Sequence, residues 1–261
     1  MERAKTKSEL LFEELLQKRG FEFQKGEDFF KVGKKCPDYY VATEYGDIIC
    51  EVKEFKEPEI HKIMMKEKVR TFSDKQILNP IKNKIKDASK QLKPYKKYKI
   101  PLVVILSNPN NYFVDLSDEE ILSAMFGEIG IAIPLNNGKE DNWYFGRNGI
   151  LTNQKEYISA VCVLEYFPIE SKELKEIILR VKDKYRYEEL SFGLTSKLAS
   201  EYLEEVESLK KKGQIIKEEK EVRLRVFHNF RTHLKLSIEI FNSEYDENHI
   251  FDERKNSYLL Q

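Results

Sequence analysis

The stretch from Pro37 to Phe55 constrains this chain more than any other, because strand side chains alternate between the two faces of a sheet. Across Ile48 to Phe55 one face carries Ile49, Glu51, Lys53 and Phe55, and the other Ile48, Cys50, Val52 and Glu54. The second face is mostly core. The first sets an acid beside an amine. Pro37-Asp38-Tyr39-Tyr40-Val41 reads as the partner strand of a hairpin that turns through Ala42 to Asp47, with Gly46 at its bend. Such a hairpin gathers Asp38, Glu51 and Lys53. Two carboxylates can hold a divalent cation through hard oxygen ligands, and a neighbouring lysine can orient a water attacking a phosphate.

Glu-x-Lys alone says little in a chain of which 34% is charged, since Glu54-Phe55-Lys56, Glu173-Leu174-Lys175 and Glu218-Glu219-Lys220 match it too. A solvated strand face with a cross-strand ion pair is the plain alternative. The flanking elements give the motif its weight. Ser8 to Arg19 has the period of an amphipathic helix, with Ser8 as N-cap, Leu11, Phe12, Leu15 and Leu16 as its apolar stripe and Gly20 at its end. At 100° per residue Glu9 falls on the border of that stripe and Glu13 nearly opposite it, so Glu9 can face the sheet. A Glu in the first turn favoured by the helix dipole is the competing explanation. A second helix is expected from Asn79 as N-cap and Pro80 as first residue, burying Ile81, Ile85, Ala88 and Leu92. Gln91 projects from its flank beside Lys84, and Pro94 ends or kinks it before Tyr95. Leu102 to Ser107 follows as an apolar strand.

In that order, helix with Glu, Pro-Asp strand, Glu-x-Lys strand, helix with Gln, strand, the first 107 residues resemble the PD-(D/E)XK nuclease superfamily, which includes restriction enzymes, junction resolvases and RecB-like nucleases. The resemblance implies an α/β, restriction-endonuclease-like αβββαβ core with a mixed sheet, its first strand at 28–32. It also implies roles. Asp38 and Glu51 would be metal-binding carboxylates, the Val52 carbonyl a further ligand, and Lys53 the catalytic lysine. Glu9 would complete the metal site and Gln91 would position phosphate or water, with Mg²⁺ as cofactor and Mn²⁺ as a substitute. Gln91-Leu92-Lys93-Pro94-Tyr95 is also similar to the Gln-x-x-x-Tyr signature of RecB-type nucleases, from which the intervening Pro94 departs.

A net charge of zero hides an asymmetry. Residues 1 to 100 hold 24 Lys and Arg against 17 Asp and Glu, and the remainder carries the opposite imbalance. Eight lysines fall between 82 and 99 against Asp87 alone. Lys84, Lys90 and Lys93 of this stripe are candidates to meet a nucleic-acid backbone, DNA in preference to RNA. A solvated helix face is the alternative. Residues 57 to 74 form a polar, charged segment; the resemblance implies that His61, Lys62, Lys66, Lys68 and Arg70 contact substrate, and a mobile solvated segment is the stronger alternative.

Downstream, Gly130 to Leu135 and Tyr157 to Phe167 read as strands extending the sheet, the second apolar enough to be buried on both faces, and Val222 to Phe230 has an alternating apolar strand pattern. Ser171 to Tyr185 and Thr195 to Lys212 read as helices of an appendage suited to an oligomer or partner contact. The expected organisation is a core over 1–170, the helical appendage over 171–221, and a C-terminal strand and tail over 222–261 packing on the core. Three dispersed cysteines, Cys36, Cys50 and Cys162, indicate neither a disulfide framework nor a zinc site, and His228 and His233 are not spaced as ligands. With no signal peptide and no apolar run long enough to span a bilayer, a soluble cytoplasmic protein is expected. The reading from sequence is a Mg²⁺-dependent nuclease for restriction, defence or repair. The alternatives are a catalytically silent nucleic-acid-binding or assembly protein on the same fold, and a structural protein working through its 171–212 helices.

Overall fold

The computed structural model describes residues 4–30, 36–57, 62, 74–132, 142–146, 148–151, 155–169, 208, 219–252 and 257–260. Helix α1 (Lys7–Lys18) leads into strand β1 (Glu22–Lys25), short helix α2 (Gly26–Phe30), and the hairpin of β2 (Tyr39–Ala42) and β3 (Ile48–Glu54). Helix α3 (Asp74–Leu92) and a 3₁₀ helix (Lys93–Tyr98) return the chain to β4 (Leu102–Ser107). Helix α4 (Asp118–Phe126), β5 (Ile129–Ala132), β6 (Asn142–Phe145), β7 (Ile158–Ile169), β8 (Glu219–His228), β9 (Glu247–Asp252) and β10 (Ser257–Leu260) follow. The fold is α/β. Eight strands form one mixed sheet in the order β1-β2-β3-β4-β7-β8-β9-β10. β1, β2 and β3 pair antiparallel; β3, β4 and β7 pair parallel.

The central strands are buried on both faces because they are sandwiched. Ile48, Cys50 and Val52 of β3 pack with Val103 and Ile105 of β4 and with the Leu11, Phe12, Leu15 and Leu16 stripe of α1. Ile49 and Phe55 pack on the opposite side with Val104 and Leu106 and with Ile81, Ile85, Ala88 and Leu92 of α3. Near-continuous apolar runs in β4 and β7 follow from this double cover. The chain divides into two compact units, residues 1–165 with 222–261, and residues 166–221.

Several expected elements are placed differently. The N-cap of α1 is Thr6, not Ser8: its hydroxyl accepts the Glu9 N–H at 3.2 Å while the Glu9 carboxylate accepts the Thr6 N–H at 2.6 Å, a reciprocal capping box. Ser8 instead donates through its N–H (2.9 Å) and hydroxyl (3.1 Å) to Glu54, tying the start of α1 to the end of β3. The strand expected at 28–32 lies earlier, at Glu22–Lys25, and residues 26–30 turn as α2. Helix α3 starts at Asp74, so Asn79 is not its cap and Pro80 lies within it. It ends at Leu92, where Pro94 carries the chain into the 3₁₀ helix. Ile129–Ala132 does not extend the main sheet but pairs with β6 in a separate two-stranded sheet. The expected helices at 171–185 and 195–212 lie outside the described residues apart from Ser208, as do all but a few residues of the 57–74 insertion. None of the three cysteines is in a disulfide. No helix among the described residues is long and apolar enough to cross a membrane.

Candidate active site

The hairpin positions the site through its turn and its register. Gly46 takes φ 118°, a conformation that L side chains rarely adopt, and its N–H closes the turn onto the Thr43 carbonyl at 3.1 Å. The antiparallel ladder pairs Tyr39 with Cys50, so Asp38 stands next, facing Glu51. Gly26 fixes the other side of Asp38. Its N–H donates to the Asp38 carbonyl at 3.0 Å, and a Cβ there would lie 2.0 Å from the Pro37 carbonyl oxygen. Only glycine allows that approach.

Beyond Tyr39 the ladder is completed by a side chain. The Val52 N–H points toward β2 and donates to Asp38 Oδ2 at 2.8 Å. In this register Val52 stands opposite Pro37, which has no N–H, so the ladder supplies no donor to the Val52 carbonyl on that edge. A carboxylate and a backbone oxygen therefore turn to the same place.

Glu51, on the α3 face of β3, is the most unusual group there. It is 1% exposed; one carboxylate oxygen meets Lys53 Nζ at 2.5 Å and the other, Oε2, is buried with no hydrogen-bond partner. Burial first, and then the charge of Asp38, push its carboxyl up to about 8, against the pull of Lys53. Lys53 Nζ also donates to Gln91 Oε1 at 2.5 Å. The structure thus joins Asp38, Glu51, the Val52 backbone, Lys53 and Gln91.

Glu9 stands at the first turn of α1, its carboxylate engaged with the Thr6 N–H. Glu13 accepts from the Tyr39 hydroxyl at 2.8 Å and pairs with Lys5 at 2.6 Å. Lys84 is half-buried, 6.0 Å from the centre of the Phe55 ring, and its pKa is lowered by burial and then by the nearby Lys53 and Lys56. Lys90 is exposed and pairs with Asp87 at 3.3 Å, and Lys93 is exposed at the start of the 3₁₀ helix. The stripe therefore splits: Lys84 shares the Gln91 flank and the other two do not. His228 ends β8, buried against Asn248 at 3.0 Å, and His233 is exposed.

The donor set suits a hard divalent cation. An orphaned buried carboxylate oxygen, a second carboxylate and a backbone carbonyl are oxygen ligands of the right kind. Among the described residues no cluster of three His, Cys, Asp or Glu side chains could hold a metal ion, so the set rests on two carboxylates and the backbone. Sequence reasoning missed the aromatic side chains around this site, Phe29, Phe30 and Tyr98. The adjacent Phe29-Phe30 pair was the available signal, obscured by assigning it to a strand.

No family model, curated protein or solved structure matches the chain.

Proposed function

We propose that the chain is a metal-dependent nuclease of restriction-endonuclease-like, PD-(D/E)XK type that hydrolyses phosphodiester bonds of nucleic acid, DNA in preference to RNA. The observation that carries this reading is Glu51, a buried carboxylate with one oxygen on Lys53 and the other without a partner, beside Asp38, which accepts the Val52 N–H. A carboxylate in that state costs folding free energy unless a proton or cation meets it. Asp38, Glu51 and the Val52 carbonyl are the ligands for Mg²⁺ or Mn²⁺ under this reading, with Glu9 and Gln91 completing the surroundings. When bound, the cation activates water and neutralises charge on the phosphate.

The rest of the work falls to the chain. Lys53, held by Glu51 and Gln91, presents three donors on one ammonium and can direct an attacking water or a phosphate oxygen. Gln91 holds that ammonium in line through its carbonyl oxygen. Lys84 adds a second positive charge on the same flank of α3, where a phosphodiester backbone would approach. An anion-binding site without catalysis gives no reason to place Asp38 and Glu51 in the path of an anion.

Incubation with circular, linear and single-stranded DNA and with RNA, with and without Mg²⁺, tests the reading. Cleavage that needs the cation and is lost in Lys53→Ala and Asp38→Ala is expected. Robust cleavage in excess chelator, or normal cleavage by both variants, overturns it.

A further inference from the structure

An aromatic surface lies beside the candidate site and is reached from it along two elements. Tyr40 is two residues from Asp38 on the same face of β2, about 7 Å along the strand. Phe29 of α2 stacks flat on it, ring centres 3.7 Å apart at 8°. Tyr95 follows Gln91 by one helical turn. Phe30 packs edge-on against Tyr95 at 4.7 Å and lies 5.1 Å from Tyr98, and Tyr95 and Tyr98 stack at 18°. Phe30 and Tyr95 form the inner part of this array. Phe29 and Tyr98 are its outer members, 37% and 41% exposed.

Its charge is as one-sided as its chemistry. Lys93, Lys96, Lys97 and Lys99 are exposed along and just beyond the 3₁₀ helix, which carries no acid in its first turn, and Lys97 lies 5.1 Å over the Tyr98 ring. Exposed rings interleaved with exposed lysines differ from a protein-docking patch, where charge at the centre is depleted. They match what an unpaired strand needs, a π face for each base and cations for the phosphates between them.

We propose that Phe29 and Tyr98 form a stacking platform for unpaired nucleobases, so that the adjacent site takes single-stranded segments of nucleic acid in preference to intact duplex. A duplex keeps its bases stacked on one another and offers the rings nothing. The proposal takes its reaction from the nuclease reading, but stacking needs no cleavage, so the two can fail separately.

The test is binding of labelled 20-nucleotide single strands, the matching duplex, and an abasic strand of equal length and charge, all in chelator. Wild type should prefer the single strand over the abasic strand by about tenfold or more. Tyr98→Ala and Phe29→Ala should each remove about tenfold of that affinity. Both should leave duplex and abasic binding unchanged within about twofold, and Tyr98→Trp should restore the preference. Tyr45→Ala, removing a 49% exposed ring at the hairpin tip, should change nothing. A 2-aminopurine base in the strand should be quenched by wild type and not by the double variant, whose unchanged duplex and abasic binding guards against a merely misfolded protein. Equal affinity for abasic and normal strands, or equal losses on all three ligands, overturns the platform. Base-dependent binding without cleavage of any substrate would retain it and remove the nuclease reading.

Discussion

Two charged clusters lie in this sheet, and they are built on opposite principles. Across β7, β8 and β9, Arg225 donates to Glu165 at 3.0 Å, to the Leu116 carbonyl at 2.7 Å and to Asp118, while Arg223 bridges Glu165 at 2.9 Å and Glu247 at 2.7 Å. Each of these guanidinium and carboxylate groups meets an opposite charge, and the His249 ring stacks on Phe227 at 4.3 Å. At the β2–β3 end Glu51 meets Lys53 through one oxygen, feels the charge of Asp38, and has no hydrogen-bond partner at Oε2. In the first cluster every guanidinium and carboxylate is paired and only the His249 Nε2, 3.6 Å from Asp118, is buried without a hydrogen bond. In the second, a carboxylate oxygen is the atom left over, and under the proposed reading that oxygen is where a cation enters.

The largest effect should come from breaking the incomplete cluster at its lysine. Lys53→Ala should lower phosphodiester cleavage by about 10³-fold or more while its melting temperature stays near that of wild type, measured by a gel-based rate assay and calorimetry. Arg225→Ala should do the reverse. Cleavage per folded molecule is retained, but stability to urea falls by about 1 to 3 kcal/mol, a range lowered for the partial exposure of Glu165 and Asp118. If the two variants exchanged phenotypes, the contrast would collapse.

A subtler difference lies in pH dependence. In metal-free protein Glu51, raised from 4.5 to about 8, holds its proton more tightly folded than unfolded, so its contribution to stability declines as pH rises through that interval. His249 has the opposite sign: burial lowers it from 6.5, so stability is lost as pH falls below that value. Urea unfolding between pH 7 and 8 should show a decline on the order of 1 kcal/mol in wild type that is absent in Glu51→Gln. His249→Asn should preserve the decline. The smallest effect concerns the lysines. Lys84→Glu should weaken DNA binding and reduce the log-log salt slope by about one, whereas Lys18→Glu, distant on α1, should do neither. Affinities across a salt series decide this, and Lys90→Glu should fall closer to Lys18→Glu because its charge points away from the Gln91 flank.

The central elements were legible in the sequence because local signals and burial agree there. Alternation in 48–55, the apolar run of β4 and the 3.6-residue stripe of α1 each have one solution once both faces of the sheet are covered. The failures occurred where the signal was ambiguous at one residue. Thr6 and Ser8 are both good caps, and only the reciprocal bond to Glu9 selects Thr6. Pro80 suits a first turn and is disfavoured in a helix interior, so sequence alone could not start α3 at Asp74. Phe29-Phe30 looks like strand until Gly26, pressed against Pro37, turns the chain into α2. Helix α4 was missed because Ile121 to Phe126 is too short for its period to stand out. At the site, alternation placed Glu51 beside Lys53, but the burial of Glu51 Oε2 without a hydrogen bond depends on tertiary packing and left no local mark.

Direct titration with Mn²⁺, followed by the loss of its free-ion paramagnetic resonance signal, tests the contrast most directly. The account predicts a bound ion per chain in wild type and in Lys53→Ala, strong weakening in Asp38→Asn and Glu51→Gln, and no change in Glu165→Gln. Wild-type affinity retained in both hairpin carboxylate variants, or lost in Glu165→Gln, would contradict it.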